Sequence, residues 1–173
     1  MPKHNYTKIF PYKKIRKSQE IAIDFGIKTL IDNDKKFCII EAGTGVGKSA
    51  IGLTLGRYLD DYYCHKFTAD DVDYKPGTYF LTTQRILQEQ YEKDFGNPRG
   101  SMRSLYSASN YQCSYKKGND CRTSLQELKG EKKGSPFFKA CAIGCKYKEK
   151  KKNFLESRES ITNFPYFILE STY

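Results

Sequence analysis

One short stretch, residues 37–49, limits the possible folds of this chain more than any other part of it. It reads FCIIEAGTGVGKS, an apolar run followed by a glycine-rich turn that ends in Lys-Ser. Apolar and β-branched residues favour a strand. Glycine permits backbone dihedrals that other residues avoid, so successive N–H groups can point into one concavity at the start of a helix. The stretch therefore predicts a strand, a phosphate-binding loop and a helix N-terminus.

The glycine-rich turn supplies the predicted nucleotide-binding residues. Lys48 would reach the β- and γ-phosphates of ATP and the Ser49 hydroxyl would bind Mg²⁺, so these two residues are the predicted catalytic groups. An ordinary glycine loop is the alternative, but the strand before the turn and the helix after it match the context that phosphate binding requires. The predicted ATP-binding residues of the loop are Gly43, Thr44, Gly45, Val46, Gly47, Lys48 and Ser49.

Helices and strands are expected to alternate around this loop. Apolar residues recur at helical spacing over 18–33 and 51–59, a β-branched and aromatic run marks a strand over 78–83, and a further helix is expected over 84–95. This order predicts an α/β fold with a parallel sheet. The residues expected to face the core are Ile23, Ile27, Leu30, Ile31, Ile51, Leu55, Tyr58, Leu59, Ile86, Leu87 and Tyr91.

Two groups of polar residues stand where ligands could bind. Arg16 and Gln19 precede the first helix and could contact a nucleotide base, or they could be solvent-facing residues of a first helical turn. Thr82, Thr83 and Gln84 fall at the carboxyl end of a predicted strand, the edge at which open α/β sheets bind ligands. Their hydroxyl and amide groups could bond the sugar-phosphate backbone of DNA, although Thr83 could instead cap the following helix.

The positive charge of the chain is concentrated after residue 98. The formal net charge is +10, and residues 99–160 hold 15 Lys and Arg against six Asp and Glu, whereas residues 21–98 are net negative. This excess favours a polyanionic partner, although charge alone does not separate nucleic acid from an acidic membrane surface. Lys146 and Lys148, in a run of lysines, are the predicted DNA contacts; a solvated helix face is the alternative.

The N-terminus and the lack of a long apolar stretch indicate a cytosolic, reducing compartment. Residues 1–6 carry charge without an apolar segment, and no stretch is long and apolar enough to span a bilayer. The sequence therefore predicts a cytoplasmic protein with no membrane partner. Its six cysteines are then expected to be buried thiols or metal ligands. Cys38 is expected in the core of the first strand, and Cys64 and His65 are expected in a surface loop over 60–77.

Four cysteines of the basic region are predicted to hold a metal group. Cys113, Cys121, Cys141 and Cys145 are separated by 7, 19 and 3 residues. The surrounding segment is too polar to form a core unaided, so a metal staple is expected. Four thiolates suit either Zn²⁺ or an iron–sulfur cluster, and thiolate count alone favours zinc. Four unrelated buried thiols are the alternative, which the polar surroundings make less favourable.

Taken in order, these segments resemble the iron–sulfur DNA helicases of superfamily 2, the DinG-like and XPD-like helicases. The matching segments are Arg16 with Gln19 for adenine recognition, 41–49 for motif I, 81–90 for motif Ia, Asn110-Tyr111-Gln112-Cys113 for the approach to the first cluster cysteine, and Ile161-Thr162-Asn163 for the return to the motor domain. Of these, motif I is the most specific.

The resemblance implies a P-loop, RecA-like motor domain interrupted by a small metal-cluster insert. Residues 1–98 would be the N-terminal part of motor domain 1, 99–160 the iron–sulfur insert, and 161–173 the return to the motor. It implies ATP, Mg²⁺ and a [4Fe–4S] cluster on the four cysteines, with Zn²⁺ as the alternative. It also implies single-stranded or forked DNA as substrate, unwound in the 5′ to 3′ direction. The last two cysteines have three residues between them, where two are usual in that family.

The chain also departs from the family near its end. No acidic DEAH-type box follows Thr162-Asn163, and the second motor domain is absent from the 173 residues. The chain is therefore expected to be an N-terminal portion that needs further motor parts, or a second chain that supplies them, for ATP turnover. Two other classes stay open: a non-catalytic nucleotide- and DNA-binding module with a zinc or iron–sulfur staple, and a small P-loop kinase or ATPase with a zinc insert. A strand ending in a carboxylate after the loop would favour the latter, and no convincing one is found.

Overall fold

In the computed structural model, which describes residues 4–66, 77–96 and 102–171, the chain divides into two units. The first covers Met1–Thr78 and the second Tyr79–Tyr173. Each unit has its own buried apolar cluster. The domain limits expected from the sequence, 1–98, 99–160 and 161–173, stay predictions.

The first unit contains two helices that pack against each other. Helix α1 spans Lys17–Ile27 and continues as one π-helical segment over Lys28–Asp32, and α2 spans Lys48–Lys66. Both predicted helices are confirmed. Ile23 and Ile27 of α1 are fully buried with Ile51 of α2, because residues four apart on one helix lie on the same face.

The strand predicted before the glycine loop is not formed. Residues 37–43 have no regular secondary structure, and Phe37 and Ile39 are 85% and 89% exposed, whereas Cys38 and Ile40 are half-buried. This alternation has the period of an extended strand. However, no strand within the described residues pairs with the segment. Apolar composition favours a strand, but hydrogen-bonded neighbours are what define one, and composition does not supply them.

Helix α2 is longer than predicted. The sequence analysis placed Cys64 and His65 in a loop over 60–77, but both lie on the last turns of α2, so that prediction was wrong. The Cys64 Sγ lies 3.8 Å from the Asp60 Oδ1, and the His65 Nδ1 lies 2.7 Å from the Asp61 carbonyl oxygen. Polar residues can extend a helix when their side chains form hydrogen bonds with residues of the preceding turn. The rest of the predicted loop, 67–76, lies outside the described residues.

The described strands of the chain form one three-stranded sheet. Strand β1 spans Thr78–Thr82, β2 spans Met102–Ser104 and β3 spans Glu159–Asn163, in the order β1-β3-β2. Strands β2 and β3 are parallel, with Met102 opposite Glu159 and Ser104 opposite Ile161. The central strand β3 is buried from Ser160 to Thr162. The α/β fold class is thereby confirmed, and the sheet includes β2, which the sequence analysis assigned to the insert.

Helix α3, Arg85–Phe95, confirms the predicted helix but not its inward face. Ile86 and Leu87 are 69% and 39% exposed, so the prediction that they face inward was wrong; Tyr91 is half-buried. The buried residues of α3 are Phe95 and Gln88, and Gln88 is 0% exposed. Its Nε2 donates to the Ser104 Oγ at 2.7 Å and to the Leu105 carbonyl at 3.0 Å. A buried amide can therefore take a place on the inner face that an apolar residue was expected to fill.

Four further helices surround the basic, cysteine-containing part of the second unit. They are α4, Cys121–Leu128; α5, Pro136–Ile143; α6, Lys146–Glu156; and α7, Phe164–Ser171, with a 3₁₀ turn at Ala108–Asn110. A small core forms from Leu105, Cys121, Tyr147, Phe154 and Tyr166. Among the residues described, no helix is both long enough and apolar enough to cross a bilayer.

Candidate functional site

The glycine loop leads directly into the N-terminus of α2. Gly45 and Gly47 have φ of 78° and 88°, which lie in the left-handed region that favours glycine. The helix begins at the next residue, Lys48, so unpaired backbone N–H groups and the positive end of the helix dipole lie at the loop. This is the local geometry that binds phosphate.

Lys48 holds its positive charge over the loop. Its Nζ donates to the carbonyl oxygens of Ala42 at 3.0 Å and Gly43 at 3.2 Å, and both bonds are exposed to solvent. A bound phosphate would offer the ammonium a charged acceptor in place of neutral ones, which is the stronger interaction. Thr44 is exposed, and Ser49, on the first turn of α2, is half-buried.

Arg16 and Gln19 are brought against the same loop. The Arg16 Nη1 donates to the Gly45 carbonyl and the Gln19 Nε2 donates to the Val46 carbonyl, each at 2.9 Å. The Gln19 Oε1 accepts from the Arg16 backbone N–H at 3.0 Å, and Gln19 is 4% exposed. Gln19 therefore fixes the loop backbone from within, while the more exposed Arg16 lies at the loop surface.

Gly47 is the glycine of the loop at which a side chain is least tolerated. A Cβ there would lie 2.5 Å from the Gln19 Nε2 and would have to adopt a φ of +88°, whereas a Cβ on Gly43 meets nothing within 4 Å. We expect Gly47→Ala to lower the free energy of unfolding by about 1–3 kcal/mol and Gly43→Ala to change it by less than about 0.5 kcal/mol. Urea unfolding followed by circular dichroism measures both, and equal effects would contradict this geometry.

A short hairpin brings the first two cysteines of the set together. Gln112 and Asp120 form an antiparallel bridge, the Cys113 N–H donates to the Asn119 carbonyl at 2.9 Å, and the Cys121 N–H donates to the Tyr111 carbonyl at 2.7 Å. Asp120 caps α4 by accepting from the Thr123 N–H at 2.7 Å, which fixes Cys121 at the first position of that helix.

The other two cysteines lie on either side of a helix break. Cys141 is on the last turn of α5, Gly144 ends that helix, and Cys145 is the N-cap of α6. Cys113, Cys121, Cys141 and Cys145 all line one narrow cleft with a cavity volume of about 10 Å³. Within the described ranges, no three His, Cys, Asp or Glu side chains converge closely enough to hold a single metal ion. The structure thus brings the four predicted ligands around one cleft, but not onto one point.

The thiols of the cleft influence one another's ionisation. Burial and the neighbouring Cys145 raise the pKa of Cys121 to about 11, and burial together with Cys113 and Cys145 raises the pKa of Cys141. Burial would also raise the pKa of Cys113, but the neighbouring Ser124 hydroxyl, hydrogen bonds from backbone N–H groups and the charge of Lys116 lower it below its ordinary value. Several thiolates here repel one another, so a cation bound among them would favour their ionised forms.

The predicted DNA contacts lie at two places in the second unit. Thr82 is buried, whereas Thr83 and Gln84 are exposed after β1. The residue that caps α3 is Gln84, so the alternative role of Thr83 as the cap was wrong. On α6, Lys146, Lys148, Lys150 and Lys152 are exposed, whereas Lys151 is half-buried and bonded to Glu170.

Gln88 and Ser124 are among the buried polar residues that were not predicted from the sequence. Gln88 connects α3 to Leu105, directly after β2, and to Ile161 in the middle of β3, and Ser124 lines the cysteine cleft. Both stand in helices among charged neighbours, where helical periodicity assigns polar residues to the solvent face. A cleft that lies between several segments is not visible from one segment of sequence.

Comparisons with known proteins identify a family. The family model described as Type III restriction enzyme, res subunit (ResIII), matches residues 12–168, which include the glycine loop, the sheet and the cysteine cleft. Searches of curated proteins and of solved structures found no match. ResIII domains are helicase-type domains of superfamily 2 that use ATP and Mg²⁺ in nucleic-acid transactions. Because the match covers most of the chain, this protein belongs to the ResIII family.

Proposed function

We propose that this chain is the N-terminal part of an ATP-dependent DNA helicase of the DinG/XPD type, with an iron–sulfur cluster on its four cysteines. The observation that carries the proposal is the cysteine cleft. Its four thiols come from a hairpin, two helices and a helix cap, spread over residues 113–145, yet they line one cleft. Membership of the ResIII family supports the helicase-type activity, and the cleft supports the narrower assignment.

The resemblance to the iron–sulfur helicases favours a cluster over a single zinc ion. Zinc draws four sulfurs to about 2.3 Å from one point. A [4Fe–4S] cluster binds one thiolate at each of four separate irons, so its ligands stand farther apart. The four cysteines line one cleft, and the pKa of the Cys113 thiol is lowered. When bound, a cluster would join the hairpin to α5 and α6 and supply the structural staple.

The nucleotide would be held by the first unit. Lys48 would exchange its bonds to the Ala42 and Gly43 carbonyls for bonds to the β- and γ-phosphates, and the Ser49 hydroxyl would face the Mg²⁺. Gln19 keeps the loop open by holding the Val46 carbonyl. Arg16, whose guanidinium lies at the loop surface, would then contact the base or sugar.

The cluster assignment is tested by metal analysis of protein purified without oxygen. We expect about four iron and four sulfide per chain and a brown colour, as thiolate-ligated clusters show. One zinc per chain without sulfide would refute the cluster and favour a zinc-stapled module. A chain with neither metal would refute the four-ligand site itself.

DNA binding is tested by reversing charges on α6. Single-stranded DNA should bind with strong salt dependence, because each neutralised phosphate releases about 0.7 of a counterion. The triple variant Lys146→Glu, Lys148→Glu, Lys150→Glu should reduce the slope of log K against log salt by about 0.7 for each phosphate that α6 no longer neutralises. The matched control reverses Lys129, Lys132 and Lys133, which are also exposed but follow α4. Equal slopes in both triple variants would show that α6 does not bind DNA.

A further inference from the structure

Ser124 is a buried hydroxyl that faces the cysteine cleft without a partner. The residue lies on α4, is 1% exposed and lines the cleft together with the four cysteines. Its Oγ lies beside the Cys113 thiol and helps to lower the pKa of that thiol. Within the described part of the chain, the Oγ has no hydrogen-bond partner.

The hydroxyl of a serine in a helix normally finds its hydrogen-bond acceptor within the same helix. Serine and threonine in helices commonly donate to the carbonyl four residues earlier. Thr54 of α2 does so, because its Oγ1 donates to the Ala50 carbonyl at 2.7 Å. Ser124 makes the corresponding backbone bond, from its N–H to the Asp120 carbonyl at 3.1 Å, but its hydroxyl points elsewhere. Burying an unsatisfied hydroxyl costs free energy, so such a group calls for an explanation.

We infer that Ser124 is a positioning residue of the cluster site, whose hydroxyl donates a hydrogen bond to a cluster sulfur, either the Cys113 thiolate or an inorganic sulfide. The inference rests on the proposed cluster and adds a role for a residue other than its four ligands. When the thiols are protonated, the cleft offers the Ser124 hydroxyl no negatively charged acceptor. The thiolates and sulfides of a bound cluster would supply one. A hydrogen bond to it stabilises the more negative, reduced cluster and so raises the reduction potential.

The first experiment compares reduction of the cluster in wild-type protein and three variants. Ser124→Ala removes the hydroxyl, Ser124→Thr keeps it, and Ser114→Ala is the control, because Ser114 also lines the cleft but is exposed. Anaerobic titration with dithionite, a one-electron reductant, is followed by electron paramagnetic resonance. We expect Ser124→Ala to lower the ratio of reduced to oxidised cluster about tenfold at a fixed potential, which corresponds to about 59 mV for one electron. Ser124→Thr and Ser114→Ala should titrate like wild type.

The second experiment uses the metal-free protein, in which the hydroxyl has no acceptor. Ser124→Ala should raise the midpoint of thermal unfolding by roughly 2–4 °C without metal, because it removes an unsatisfied buried group. A lower midpoint would show that the hydroxyl is bonded in the metal-free protein, and that result would overturn the inference. An unchanged potential in a variant with full iron content would overturn it as well. Wild-type protein without iron would instead refute the proposed cluster, and the inference with it.

Discussion

Lys48→Ala is expected to lower the affinity for a fluorescent ATP analogue about 100-fold. Lys48 is the cation that the loop holds at the N-terminus of α2, and its present acceptors are two neutral carbonyls. Bonds from an ammonium to phosphate are worth about 1.5–3 kcal/mol each. The loss of about 3 kcal/mol corresponds to a factor of about 100 in the dissociation constant.

The fold should tolerate this change. The two bonds of the Lys48 ammonium are exposed to solvent, so their removal should change the free energy of unfolding by less than about 1 kcal/mol. Lys36→Ala is the matched control, because Lys36 is an exposed lysine before the loop and its replacement removes the same charge. Equal affinities of the two variants for the analogue, with both proteins folded, would rule out the phosphate-binding assignment of the loop.

The features that sequence predicted well in this chain are local ones. A glycine loop followed by a helix depends on residues within one short stretch, and the structure has positive φ at Gly45 and Gly47 with α2 beginning immediately after them. Arg16 and Gln19 were predicted to contact a nucleotide base or to face solvent, whereas in the structure both bond the backbone of the loop. That Gln19 bonds the Val46 carbonyl depends on how α1 packs on α2, which no single stretch encodes.

The features that sequence failed to predict depend on distant partners. Phe37 and Ile39 have the composition of a strand, but no described strand pairs with them. On α3, Gln88 rather than Ile86 is buried, because Ser104 and Leu105 offer hydrogen-bond acceptors from another part of the chain. The cysteine cleft also depends on distant segments. The cysteine spacing suggested one metal group bound by four thiols, but it did not predict that Ser124 would line the same cleft.

Cys121→Ser is expected to abolish cluster binding and to loosen the second unit around the cleft. Cys121 is 3% exposed, lies at the first position of α4 and packs in the small core with Tyr147 and Tyr166. Its raised pKa, about 11, means that the thiol is protonated at neutral pH until a metal group displaces the proton. A serine hydroxyl is far less acidic than a thiol and would not ionise there, so one of the four ligands would be lost.

Iron content and hydrogen exchange measure this result together. In Cys121→Ser we expect less than about one tenth of the wild-type iron, because each ligand of a four-thiolate site is needed to hold the group. Amide protection should fall over 105–156, because the apolar core there is small and the proposed cluster would join its segments. Cys64→Ser is the control, since Cys64 lies on α2 in the first unit, and it should keep full iron and wild-type protection. Loss of iron in Cys64→Ser, or full iron in Cys121→Ser, would show that the ligand set is wrong, because all four proposed ligands lie in the second unit.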